Sequence, residues 1–309
     1  MTIRIIALVL TASALVGGQA SRSRTLIVSV ANQDGTVAAG LTDRDFTVEI
    51  GGVPVTAVGV SQIAEPLSVM LLFDRSASVL SVPPNPSSPF GPSSRRALLD
   101  AGTVSEAILR SRHPSGREYF GRFSGFTEFR GPVAPNLGAW LEVLTWGLAR
   151  VPGSSSPIWD AVSDAAKRIE RDPGRKLLVL VTDGRSNANA LSLEDAARQV
   201  VRSGVAVSVI DIGYREQVRQ EDMLVAATRP DRLLNWLAEA TGGHYITDAT
   251  VLKTRVIPAS LLGNVVDLHR YAYSVLTTVP VGLPAPQSVK VHVSHTAATA
   301  RTAAFVEVR

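Results

Sequence analysis

Three oxygen-rich segments stand where chemistry could occur. Asp74, Ser76 and Ser78 alternate in Asp74-Arg75-Ser76-Ala77-Ser78, directly after the apolar run Leu67 to Phe73. Thr182-Asp183-Gly184 follows a second apolar run, Lys176 to Val181. Between them lies Ser154-Ser155-Ser156-Pro157-Ile158-Trp159-Asp160. Two of the three sit at the C-terminal ends of predicted strands, where open α/β sheets place their ligand sites. Carboxylates and hydroxyls without sulfur or imidazole suit a hard divalent cation such as Mg2+, which takes six oxygens and keeps some as water. Hydroxyls are neutral donors, so a site with few carboxylates leaves the ion electrophilic and open to an outside carboxylate. The same residue types also serve as turn and helix-cap groups after strands.

The elements around these segments read as a parallel sheet covered on both faces, because apolar strands alternate with amphipathic helices. Strands are expected at 67–73, 118–123, 127–130, 177–181, 205–212 and 244–246. Helices are expected at 95–112, 137–149, 158–169, 192–202, 233–240 and 251–263. Ser192 is the expected cap of its helix, with Asp195 at a favourable early position, and Gly242-Gly243 is the expected stop of another. Ser81 to Ser94 carries five prolines and reads as loop.

A small β module precedes this domain. Thr25 to Val30 alternates, Asp34-Gly35 signals a turn, and Phe46 to Ile50 is expected to pair with Val53 to Val60 around Gly51-Gly52. From Val265 onward the pattern returns to β, with strands expected at 272–279, 289–294 and 305–308. This tail is expected to pair with the N-terminal module.

Met1 to Ala20 has the features of a secretory signal: Arg4, a 12-residue apolar stretch from Ile5 to Val16, and small residues at Gly18 and Ala20. The stretch is shorter than the roughly 20 residues needed to span a bilayer, so no stable span is expected after its removal. The 309-residue chain has no cysteine, which excludes disulfides and lipidation at a signal cysteine. Without Arg4 the chain holds 30 basic against 27 acidic residues, a formal +3. That mild, evenly spread charge gives no reason to expect nucleic acid as a partner.

The oxygen-bearing set resembles the metal-ion-dependent adhesion site of the von Willebrand factor type A (VWFA) domain. That family carries Asp-x-Ser-x-Ser after its first strand, a Thr in a later loop and an Asp after its fourth strand. Asp74, Ser76 and Ser78 match the first element. Ser156 stands in the Thr position, within Ser154 to Ala161, and Asp183 matches the last element. Ala240-Thr241-Gly242-Gly243 is similar to the family's step before its last short strand. Gly40 to Val48 is similar to the lead-in module of secreted bacterial members.

The resemblance implies a Rossmann-like doubly wound, mostly parallel α/β sheet with the metal at its C-terminal edge, plus a small β module formed by the N- and C-terminal segments. It implies the division 1–20 signal, 21–65 N-terminal β module, 66–263 VWFA domain and 264–309 C-terminal β segment. It further implies a secreted or periplasmic, non-enzymatic adhesion-type protein. Mg2+, or else Mn2+ or Ca2+, would be held by Asp74, Ser76, Ser78, Ser156 and Asp183, and a protein partner would supply a Glu or Asp ligand.

Two departures bear on this. Ser156 lacks the methyl that fixes a Thr rotamer, and Arg75 places a positive charge beside the site. A metal-dependent hydrolase is the alternative from another class, with Asp160 and Glu216 as candidate bases. A structural module with a vestigial metal site is the third. The five histidines form no metal-ligand pattern, and His269 has no partner visible in the sequence. No Gly-x-Ser-x-Gly elbow or phosphate-binding Gly-Lys-Ser/Thr loop is present.

Overall fold

The computed structural model describes residues 22–63, 65–76, 79, 116–148, 155–212, 230–247, 257, 259–279, 287–294, 299–301 and 305–306. The signal segment, Ser78, Ser154, the proline-rich stretch 81–94, the helix expected at 95–112, and His113, Glu216 and His295 lie outside them. The chain opens with β1 (Arg22–Ala31), β2 (Phe46–Ile50), β3 (Val53–Val55) and β4 (Ala57–Gln62). Next come β5 (Leu67–Asp74), β6 (Glu118–Phe123), β7 (Thr127–Arg130), α1 (Leu137–Leu148) and α2 (Ile158–Ile169). Then follow β8 (Arg175–Thr182), α3 (Leu193–Arg202), β9 (Val205–Asp211), α4 (Pro230–Thr241), β10 (Tyr245–Ile246) and α5 (Ala259–Arg270). The chain returns to β with β11 (Tyr273–Val279), β12 (Gln287–Val293), β13 (Thr299–Arg301) and β14 (Phe305–Val306).

Six strands form the central sheet in the order β10-β9-β8-β5-β6-β7, parallel except for the β6–β7 pair. β5 is buried along its whole length because its alternate side chains enter two different cores. Leu67, Val69, Leu71 and Phe73 meet Trp140 and Leu144 of α1 and Leu262, Val265 and Val266 of α5. Met70 and Leu72 meet α2, α3 and α4 through Ile158, Val162, Ala196 and Leu237. Each such fully buried large aliphatic side chain contributes roughly 1.5–3 kcal/mol. This is the doubly wound α/β architecture expected from the sequence.

The terminal segments join in two four-stranded sheets, β13-β1-β11-β4 and β14-β12-β2-β3. Leu26, Val28, Phe46, Val48, Tyr273 and Val275 form a core between them. The tail therefore does pair with the N-terminal module, through β1–β11 and β2–β12.

Two elements differ from expectation. The hairpin from β2 ends after β3, and β4 leaves to pair with β11 in the other sheet. The last helix runs to Arg270, past Gly263, so Val265 onward is not strand until Tyr273. Leu262, Val265 and Val266 have helical spacing, and their burial outweighs the weak helix preference of glycine and β-branched residues.

Candidate metal centre

Asp74 ends the fully buried β5 and is itself 1% exposed. Its Oδ1 accepts the backbone N–H of Ser76 at 2.9 Å, the Asx-type turn that lets a carboxylate organise the chain just beyond it. Its Oδ2 accepts the hydroxyls of Ser156 at 3.0 Å and Thr182 at 2.6 Å. Three separated segments thus converge on one carboxylate at the C-terminal edge of the sheet.

Asp183 follows Thr182 and is nearly buried, with Oδ1 accepting the N–H of Arg185 at 3.1 Å. Gly184 makes that turn at φ 76° and donates its N–H to Thr182 Oγ1 at 3.0 Å. Burial pushes the Asp74 carboxyl above its ordinary range, and the charge of Asp183 adds to that. The Ser76 and Thr182 hydrogen bonds oppose it.

The Ser156 loop is held from the far side by the segment after β8. Ser156 N–H donates to Asn187 Oδ1 at 2.7 Å, and Asn187 N–H donates back to Ser156 O at 2.9 Å. Trp159 N–H donates to Asn189 Oδ1 at 2.8 Å. Asp160 accepts the N–H groups of Ala190 and Leu191, both at 2.8 Å. Asp160 therefore orients the loop, and both of its oxygens are engaged.

Asp74, Ser76 and Ser156 are brought together, Asp183 lies within electrostatic reach of Asp74, and Ser78 lies outside the described residues. Thr182 and Asn187 are additional members that the sequence reading did not single out. Thr182 ends an apolar strand immediately before Asp183, which was the available signal. Asn187 had none beyond the polar composition of its loop.

The donor set is chemically suited to a hard cation: two carboxylates and several hydroxyls, all oxygen, in a largely buried niche. Two mutually repelling carboxylates at such a place are the kind of pair a cation would relieve. Among the described residues no group of three or more His, Cys, Asp or Glu converges, so a cation here would need hydroxyls or water as further donors. Arg75 is 6% exposed, and its backbone N–H donates to Phe123 O at 2.8 Å. Burial lowers its guanidinium pKa; Asp74 opposes the shift and Arg122 adds to it. Its charge therefore acts on the site from within the protein.

No family model and no curated protein matches the chain. Solved structures do match. An aerotolerance-related membrane protein from Bacteroides fragilis is 13% identical, with 65% of this chain and 98% of that chain covered and a TM-score of 0.43. BatB from Bacteroides thetaiotaomicron is 17% identical, with 65% and 99% covered and a TM-score of 0.40. The vWF domain of the type V pili tip protein Mfa5 from Porphyromonas gingivalis is 10% identical, with 66% and 95% covered and a TM-score of 0.43. At TM-scores below 0.5 these likenesses carry no argument about this chain. The sheet order, the helices on both faces and the loops gathered at the C-terminal edge make this a doubly wound, mostly parallel α/β fold.

Proposed function

We propose that the chain is an exported, non-enzymatic binding protein of adhesion type that engages an acidic group of a protein partner at the C-terminal edge of its sheet. The observation that supports this best is the convergence of Ser76, Ser156 and Thr182 on the Asp74 carboxylate. Asp74, Ser76, Ser78, Ser156 and Asp183 would hold Mg2+, with Mn2+ or Ca2+ as the other candidates, some of them through water. The bound ion would supply an electrophilic position open to a Glu or Asp oxygen of the partner.

The chain's own residues prepare that position. Thr182 and Ser156 fix the Asp74 carboxylate, and Asn187 fixes the Ser156 backbone. The buried Arg75 charge favours an incoming anion. The signal-like N-terminus supports export and a secreted or periplasmic location. Among the described residues no helix is long and apolar enough to cross a membrane.

The test is retention of envelope proteins on the immobilised chain, with Mg2+ and with chelator. Retention that chelator abolishes, and that Asp74→Asn abolishes in a folded variant, supports the proposal. The same proteins held with chelator and by the variant would contradict it.

A further inference from the structure

The opposite edge of the same sheet carries a concavity of inverse chemistry. A cavity of about 240 Å3 lies where Leu67, Arg175 and Val205 begin β5, β8 and β9 and where β1 passes over them. Ile27, Leu67, Val205 and Ala272 give it apolar walls, while Arg175, Lys176 and His269 line its polar side. Among the described residues that line it none is acidic.

Arg175 is the unusual member. It donates one guanidinium N–H to the carbonyl of Arg270, and its Nε is buried with no acceptor. Among the described residues no carboxylate lies within ion-pair distance of it. Burial pushes its pKa down to about 10, with Glu65 opposing the shift and Arg270 adding to it. His269 Nε2 is engaged by Ser208 Oγ at 3.0 Å. Burial, then His244 and Arg175, hold its pKa well below the ordinary value, so it stays neutral and adds no charge to those of Arg175 and Lys176. A half-buried guanidinium at the wall of an apolar cavity favours a carboxylate partner.

We propose that this cavity binds a medium-chain aliphatic monocarboxylate, its carboxylate on Arg175 and its alkyl chain against the apolar walls. Apolar walls with a few polar groups are the usual make-up of a small-molecule site. The volume admits an acyl chain of about eight carbons at protein packing density. A small inorganic anion such as phosphate would leave the apolar walls unused. This site is separate from the metal centre and does not depend on it.

The test is calorimetric titration of the full chain with octanoate and with octan-1-ol, in chelator. Octanoate is expected to bind saturably and at least tenfold tighter than the alcohol. Arg175→Gln is expected to lower octanoate affinity at least tenfold. Equal affinity for acid and alcohol, no binding of either, or an unchanged affinity in a folded Arg175→Gln variant would overturn the proposal. The acid-to-alcohol comparison stands on the unaltered protein even where the variant fails to fold.

Discussion

The two ends of the central sheet are built from the same strands and handle charge in opposite ways. At the C-terminal end β5 and β8 deliver Asp74, Thr182 and Asp183, and the two Asp74 oxygens accept three protein donors. At the N-terminal end β8 begins with Arg175, whose buried Nε has no acceptor among the described residues. One end is a satisfied acidic cluster and the other an under-satisfied basic one. The difference follows from what borders each end. Loops cross-linked by Asn187, Asn189 and Asp160 cover the acidic end. The β module abuts the basic end, where Ser29 Oγ and His244 Nε2 lie 2.7 Å apart. Hydrogen-bonded loops bring polar groups to a carboxylate, whereas packing of two units covers a guanidinium without matching it.

The largest effect expected from breaking this contrast is at the basic end. Gly174 has φ 72°, and a Cβ there would meet Pro66 O at 2.3 Å. Gly174→Ala is therefore expected to destabilise the chain by about 3 kcal/mol, read from the urea midpoint. The Mg2+ affinity of the folded protein should remain unchanged.

Next, Thr182→Val removes a donor to Asp74 and an acceptor for Gly184 N–H while keeping the side-chain shape. It should lower stability by about 2 kcal/mol and weaken Mg2+ binding together. A stability loss with unaltered Mg2+ affinity would separate the polar cluster from the metal reading.

A third prediction concerns pH. His269 is buried, 5.6 Å from the ring of His244, and Arg175 also disfavours its protonation. Its folded pKa lies well below 6.5, so below pH 6.5 the unfolded chain takes up a proton that the folded chain refuses. Stability should fall with decreasing pH, by up to about 1.4 kcal/mol per pH unit for one such group. Urea unfolding between pH 7 and 5 checks this, and His269→Gln should flatten the slope.

The smallest effect belongs to Ser192, which caps α3 by accepting Asp195 N–H at 3.1 Å. Ser192→Ala should reduce the thermal midpoint by the equivalent of about 1 kcal/mol and leave both ends of the sheet intact.

Much of this was legible in the sequence because it is local. The continuous apolar runs of β5 and β8 announced strands buried on both faces, and Ser192 announced its helix. The alternation of Asp74 and Ser76 after a strand marked the carboxylate end. What escaped depended on distant partners. β4 carries the same β-forming residues as β3, and only pairing with β11 takes it to the other sheet. Val265 and Val266 read as strand by type, yet they fill a space over β5 as part of a helix. His269 showed no partner because Ser208 and His244 reach it through the fold. Thr182 differed from any strand-end threonine only through the carboxylate 108 positions earlier.

Calorimetric titration of Mg2+ into the unaltered chain and into Asp74→Ala decides whether Asp74 anchors a bound cation. Saturable one-site binding that is lost in a variant retaining the native circular dichroism spectrum is the predicted result. Equal Mg2+ affinity in the two proteins would contradict the assignment of Asp74 as the centre of a metal site.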